Sequence, residues 1–191
     1  MEWTDSAAAE QARQGDQRAF GVLVERHSRS VFRLAFRMTQ NEQDAEDLVQ
    51  ETFLKAYKQL HRFDGRSAFG TWLYRIAANC SFDLIRSRKN RRERQTTLTS
   101  ETTDWLDRVA APDPSPERLA RSGQVASLLK PALAQLTELE RTAFVLRHYE
   151  GRGIEEIAGV LGVQTNAAKH SVFRAVQKLR RALEPVAEVA P

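Results

Sequence analysis

Apolar residues recur three and four positions apart along most of this chain, the spacing of helices with one buried face. Phe20, Leu23, Val24, His27, Val31, Leu34, Ala35 and Met38 form one stripe, and Asp16 stands before it as a helix cap. A second stripe occupies positions 45, 48, 49, 52, 53, 56, 57 and 60, with Asn41-Glu42-Gln43-Asp44 as a start resembling a capping box. Phe63-Asp64-Gly65-Arg66-Ser67 reads as a loop. A third helix is predicted from Phe69 to about Arg88, burying Phe69, Leu73, Ile76, Ala77, Cys80 and Leu84. Near the other end, Thr137-Glu138-Leu139-Glu140 opens a helix that stops near Gly151. Ile154, Ile157, Ala158 and Leu161 then share one face of a short helix closed by Gly162. Gln164-Thr165-Asn166 forms the next turn, with Thr165 or Asn166 as N-cap. A last helix runs from about Ala167 to Leu183, with Ala168, Val172, Ala175, Val176, Leu179 and Leu183 inward.

Charge divides this helical pattern into parts. Arg86 to Arg94 holds six basic residues and one acid, whereas Gln95 to Glu117 holds five acids against Arg108 and is rich in Thr, Ser and Pro. That stretch lacks helical periodicity and reads as a flexible acidic linker. The expected architecture is all-α: a helical domain over 1–94, a linker over 95–117, and a second helical domain over 118–191. With 41% hydrophobic residues in 191, the chain can build cores of its own, so wholesale disorder is excluded. Its single cysteine, Cys80, permits no intramolecular disulfide and fits a reducing cytoplasm. Met1-Glu2-Trp3-Thr4-Asp5 is acidic where a secretory signal is basic, and no apolar run approaches the ~20 residues of a membrane span. No membrane insertion is expected.

The net charge of +4 is weak testimony by itself; its placement says more. The last helix carries Lys169, His170, Arg174, Lys178, Arg180 and Arg181 with no acid before Glu184. A short helix, a glycine turn and a basic amphipathic helix make a helix-turn-helix of the kind that enters a major groove. The bland alternative is a helical hairpin with a solvated basic face. On the third helix, Arg75, Asn79, Asp83 and Arg86 recur opposite the apolar stripe. Asn can pair with a base edge and Arg with phosphate or guanine; a solvated, hydrogen-bonded row fits the spacing equally. Phe63, Phe69, Trp72 and Tyr74 lie beside a basic loop, where aromatics can stack on unpaired bases. Core packing is preferred for Phe69, and Trp72 stays open. Asp44, Asp47 and Glu51, with Gln50, form an acidic row on the second helix, either plain solvated surface or a docking face for a basic partner. His27, His61, His148 and His170 show no metal-ligand spacing, no carboxylate stands beside a nucleophile, and there is no Gly-rich phosphate loop. No catalytic site, metal or cofactor is expected.

Several of these segments together resemble the extracytoplasmic-function sigma factors, the smallest class of the sigma-70 family. The resemblance rests on Gly15-Asp16-Gln17-Arg18-Ala19-Phe20, on residues 44–53, on Ser67 to Asn79, on Asp113-Pro114-Ser115-Pro116-Glu117, on Leu136 to Arg141, and on Ile154-Glu155-Glu156-Ile157-Ala158. It implies a region 2-like helical bundle and a region 4-like helix-turn-helix. It implies docking of Asp44, Asp47, Gln50 and Glu51 on RNA polymerase core, at the β′ clamp helices, with further contact to β. It implies that Phe63, Asp64, Arg66, Ser67, Trp72, Arg75 and Asn79 read and hold the single-stranded −10 element. Thr165, Asn166, Lys169, His170 and Arg174 would read the double-stranded −35 element. It also implies an anti-sigma factor as regulatory partner. One segment departs from the family: Asn166-Ala167-Ala168-Lys169-His170-Ser171 has serine where an arginine is usual. The competing expectation is a stand-alone helix-turn-helix regulator that binds duplex DNA as a dimer.

Overall fold

The computed structural model describes residues 3–95, 132–133 and 135–187, with side chains at 92–95 and 185–187 outside the description. The expected linker over 95–117 lies outside the described residues except for Gln95, which is helical. Seven α-helices stand among the described residues. They are α1 (Asp5–Arg13), α2 (Gln17–Thr39), α3 (Glu42–Gln59), α4 (Phe69–Gln95), α5 (Glu138–His148), α6 (Ile154–Leu161) and α7 (Thr165–Ala187). One 3-10 turn, Leu60–Arg62, follows α3.

The caps predicted for α2, α3 and α5 are present. Asp16 accepts from the Arg18 and Ala19 amides, and Asn41 accepts from the Asp44 amide at 2.9 Å. At α5 the box is reciprocal: the Glu140 amide donates to Thr137 Oγ1 at 3.2 Å, and the Thr137 amide donates to Glu140 Oε2 at 2.9 Å. Thr137→Ala removes the acceptor, at a cost of about 1 kcal/mol. A thermal melt is expected to fall by about 2–4 °C; an unchanged midpoint would show that the box contributes nothing.

Differences from the sequence-based expectation have local causes. Helix α1 was not anticipated; Thr4 caps it, and Asp5 ties it to α2 through Arg26 and, at 2.7 Å, through His27. Helix α7 starts at Thr165, because the Ala168 amide already bonds the Gln164 carbonyl at 3.0 Å, so neither Thr165 nor Asn166 is the N-cap. Tyr57 is exposed rather than inward, with one ring edge against Phe20.

The larger difference concerns how the two helical blocks meet. Their buried side chains form one continuous core: Leu23, Leu34, Leu73 and Tyr74 from the first block join Leu146, Ile157 and Val160 from the second. Helix α6 lies on α4, and α5 lies on α2. Helix α4 is therefore buried on two faces, and Thr71, Tyr74, Ala78 and Phe82 join its expected stripe. A two-sided helix shows no single sharp apolar face, so the second side escaped periodicity.

Candidate nucleic-acid interface

Three exposed faces collect most of the expected site residues. The first is on α3, where Asp47, Gln50 and Glu51 are exposed, with Glu51 ion-paired to Lys55 at 2.7 Å. Asp44 corrects the expectation. It is buried at the start of α3 and paired with Arg88 of α4, because Asn41 capping turns that first turn inward. It ties α3 to α4 and leaves the row. The position that replaces it is Leu54, 62% exposed and one turn beyond Gln50 and Glu51. An exposed leucine ringed by polar groups is the composition of an interface centre.

The second face combines the loop before α4 with the outer side of that helix. Residues 64–68 are all exposed. Gly65, at φ 73°, turns the chain so that Asp64 Oδ1 accepts from the Arg66 amide at 3.1 Å. Behind the loop, Phe63, Phe69 and Trp72 pack with ring centroids 5.2–5.6 Å apart. Phe69 is buried, as preferred; Phe63 and Trp72 are half-buried and form an aromatic floor beneath a solvent-open loop. Arg75, Asn79 and Asp83 follow on the exposed side of α4, a placement that suits a DNA-reading face and a solvated face alike. Cys80 is buried on the opposite side, where burial pushes its thiol pKa up.

The third face is on α7. Thr165, Asn166, Lys169, His170 and Arg174 are exposed on one side of it. Gly162, at φ 65° and ψ 33°, makes the turn that sets α7 across α6. Ser171 points inward, with its hydroxyl donating to the Ala167 carbonyl at 2.9 Å, so the unusual serine lies off the exposed side. Sequence reading missed Phe173, which stands 60% exposed between His170 and Arg174. The signal was present: an aromatic residue outside the apolar stripe of a basic helix. Beneath this face, Glu140 holds Lys178 at 2.7 Å and approaches Arg174 at 3.6 Å. Burial raises the Glu140 pKa, but the Lys178 and Thr137 hydrogen bonds outweigh it and leave the carboxyl below its usual value.

Among the described residues, no group of three or more His, Cys, Asp or Glu could hold a metal ion, and no helix is long and apolar enough to cross a membrane.

Residues 23–91 match the family described as Sigma-70 region 2, and residues 128–179 match Sigma-70, region 4. The chain belongs to the extracytoplasmic-function sigma factors of the sigma-70 family. It is 35% identical over 184 residues to the RNA polymerase sigma-H factor of Pseudomonas aeruginosa, covering 95% of each chain. It is 33% identical to the ECF RNA polymerase sigma-E factor of Escherichia coli, covering 96% of each. Among solved structures, CnrH in complex with the cytosolic domain of CnrY is 32% identical, with a TM-score of 0.68 over 95% of this chain and 97% of that one. The sigma factor RpoE of Bartonella quintana, solved with the anti-sigma factor NepR, shares the fold at 24% identity and TM-score 0.63, over 85% of this chain and 93% of that one.

Proposed function

We propose that this chain is a transcription initiation factor that docks on RNA polymerase core and directs it to promoters with −10 and −35 elements. Whole-length similarity to named sigma factors carries this reading, because it includes the first block as well as the helix-turn-helix. A stand-alone regulator would need only the second. Asp47, Gln50, Glu51 and Leu54 form the core-docking face, with an apolar centre and an acidic rim suited to a basic partner helix. Phe63, Asp64, Arg66, Ser67, Trp72, Arg75 and Asn79 hold −10 DNA in its unpaired form. A loop over an aromatic floor stabilises a base once it leaves the stack, so opening needs no nucleotide hydrolysis by this chain. Thr165, Asn166, Lys169, His170 and Arg174, with Phe173 beside them, face the −35 duplex, and an exposed phenyl ring suits a thymine methyl group. The chain acts in the cytoplasm, performs no catalysis of its own, and is restrained by an anti-sigma factor.

Permanganate reactivity of −10 thymines tests the reading. Core polymerase plus this protein should expose thymines on a cognate promoter that neither component exposes alone. Asn79→Ala should lower that exposure by about 5- to 150-fold, the worth of ~1–3 kcal/mol for one bidentate base contact, with core binding unchanged. Equal opening of every −10 variant by the mutant would remove Asn79 from the site.

A further inference from the structure

Glu140 is buried at the third position of α5, and its carboxylate reaches past the capping box to the helix above it. Oε2 accepts from the Thr137 amide at 2.9 Å and from Lys178 Nζ at 2.7 Å. Oε1 has a different neighbour, Arg174 Nε at 3.6 Å. That distance is too long for a hydrogen bond and is that of an ion pair. One buried carboxylate therefore serves two cations spaced four apart on α7. Burial raises its pKa, but the Lys178 and Thr137 hydrogen bonds outweigh it, so the group stays ionised.

A cap alone does not account for this placement. The box needs the Glu140 side chain to reach only the Thr137 amide. Oε1 lies outside the box and beside the guanidinium. What this does to Arg174 follows from the shape of that group. A guanidinium has five N–H donors in one plane, one on Nε and four on the two terminal nitrogens. Glu140 attracts the Nε side. The terminal edge, Nη1 with Nη2, is left for a partner outside the protein, on a side chain that is 63% exposed. That edge matches the paired acceptors O6 and N7 of guanine. Such a contact requires the guanidinium to lie in the plane of the base, whereas a phosphate contact carries no sequence information. Fixing so long a side chain costs rotamer entropy, and an anchor within the protein removes part of that cost before DNA arrives.

We propose that Glu140 is a positioning residue for promoter recognition: by holding the Nε side of Arg174, it sets the terminal guanidinium edge to read a guanine of the −35 element. The inference deepens the promoter-reading function proposed above and rests on it. Glu140 touches no DNA and acts through Arg174. Lys178 shares the same carboxylate, so its charge is partly neutralised within the protein and adds little to phosphate binding.

Glu140→Gln separates this role from capping, because glutamine serves at the third position of a capping box as glutamate does, while the negative charge is gone. The full-length variant is assembled with core RNA polymerase. Its affinity is measured for the promoter upstream of its own gene and for versions in which each −35 guanine in turn is replaced by adenine. Wild type should discriminate strongly at one guanine. In Glu140→Gln that discrimination should shrink by about fivefold, the low end of the worth of one bidentate base contact. Affinity for promoters lacking the guanine should not fall, and the salt slope should steepen by up to about one as Lys178 becomes free for phosphate. A weakened fold would lower every affinity together. Thr137→Ala supplies that comparison: it weakens the cap and should leave the guanine preference at its wild-type value. Arg174→Ala should lose the preference in full, and adding Glu140→Gln to it should remove nothing more. In the free chain, NMR relaxation of the Arg174 Nε–H group should show a side chain restrained in wild type and mobile in Glu140→Gln. The positioning role is overturned if no −35 guanine matters, if the guanine preference survives Glu140→Gln or Arg174→Ala unchanged, or if the Nε–H group is equally mobile in both proteins. A wild type that gives core polymerase no −35 preference of any kind would instead overturn the function proposed above, and this inference with it.

Discussion

Asp47→Arg combined with Glu51→Arg is expected to abolish binding to RNA polymerase core. Both carboxylates are exposed on α3, one turn apart, and flank Gln50 and Leu54. Neither supports the core, so the helix should form as before; Glu51 gives up only an exposed pair with Lys55, worth ~0.3–0.5 kcal/mol. At the interface the change is of another size. Placing two cations against a basic partner costs several kcal/mol, and ~4 kcal/mol is about a thousandfold in affinity. Fluorescence anisotropy of labelled protein titrated with core reads this directly. Leu54→Ala should weaken binding less, and the loss should be insensitive to salt. A charge-reversed protein that still binds core with wild-type affinity would move the docking face away from α3.

The second large effect is expected on α7. Lys169→Ala with Arg174→Ala removes two exposed cations from the side of the helix that carries Asn166 and His170. At ~1–3 kcal/mol for each base contact, loss of two such contacts should lower −35 binding by about 30-fold to about 25,000-fold. The single variants separate the roles. A residue that touches only phosphate weakens all −35 sequences alike and lowers the salt slope by about one. A residue that reads a base relaxes the preference at that base alone. Phe173→Ala is expected to behave as the second class and to relax discrimination at a thymine. Arg174 has a complication of its own, because Glu140 lies 3.6 Å away and also holds Lys178. Removing Arg174 leaves Glu140 capping α5, so the domain should remain folded. Normal promoter recognition by the double variant would place the reading helix elsewhere.

How much of this was legible beforehand depended on whether a residue answers to its own helix or to a neighbour. Caps and stripes are local, so Asp16, Asn41, Thr137 and Gly162 stood where their chemistry implied. The loop at Asp64-Gly65 and the exposed face of α4 were also local. The burial of Tyr74 and Thr71 was not, because Tyr74 meets Glu150 and Arg152 in the turn before α6 and Thr71 meets Glu156 within it, all more than seventy residues away in sequence. Asp44 failed for a related reason: at the first turn of α3 its direction is set by the Asn41 cap and by Arg88 of α4, not by the spacing of the acidic row. Glu150, after α5, carries no signal in that helix's spacing. Only the packing of two blocks shows it as a buried anion held by Arg33 and Tyr74. Phe173 and Leu54 were readable in principle, since each is a large apolar residue off the stripe of an otherwise polar face.

Run-off transcription with core RNA polymerase, with and without this protein, on the promoter upstream of its own gene tests the central claim most directly. The account predicts a discrete transcript only when the protein is present, lost with Asp47→Arg/Glu51→Arg and reduced with Asn79→Ala. No transcript, together with tight binding of the protein alone to that duplex, would contradict it and return the chain to the class of stand-alone helix-turn-helix regulators.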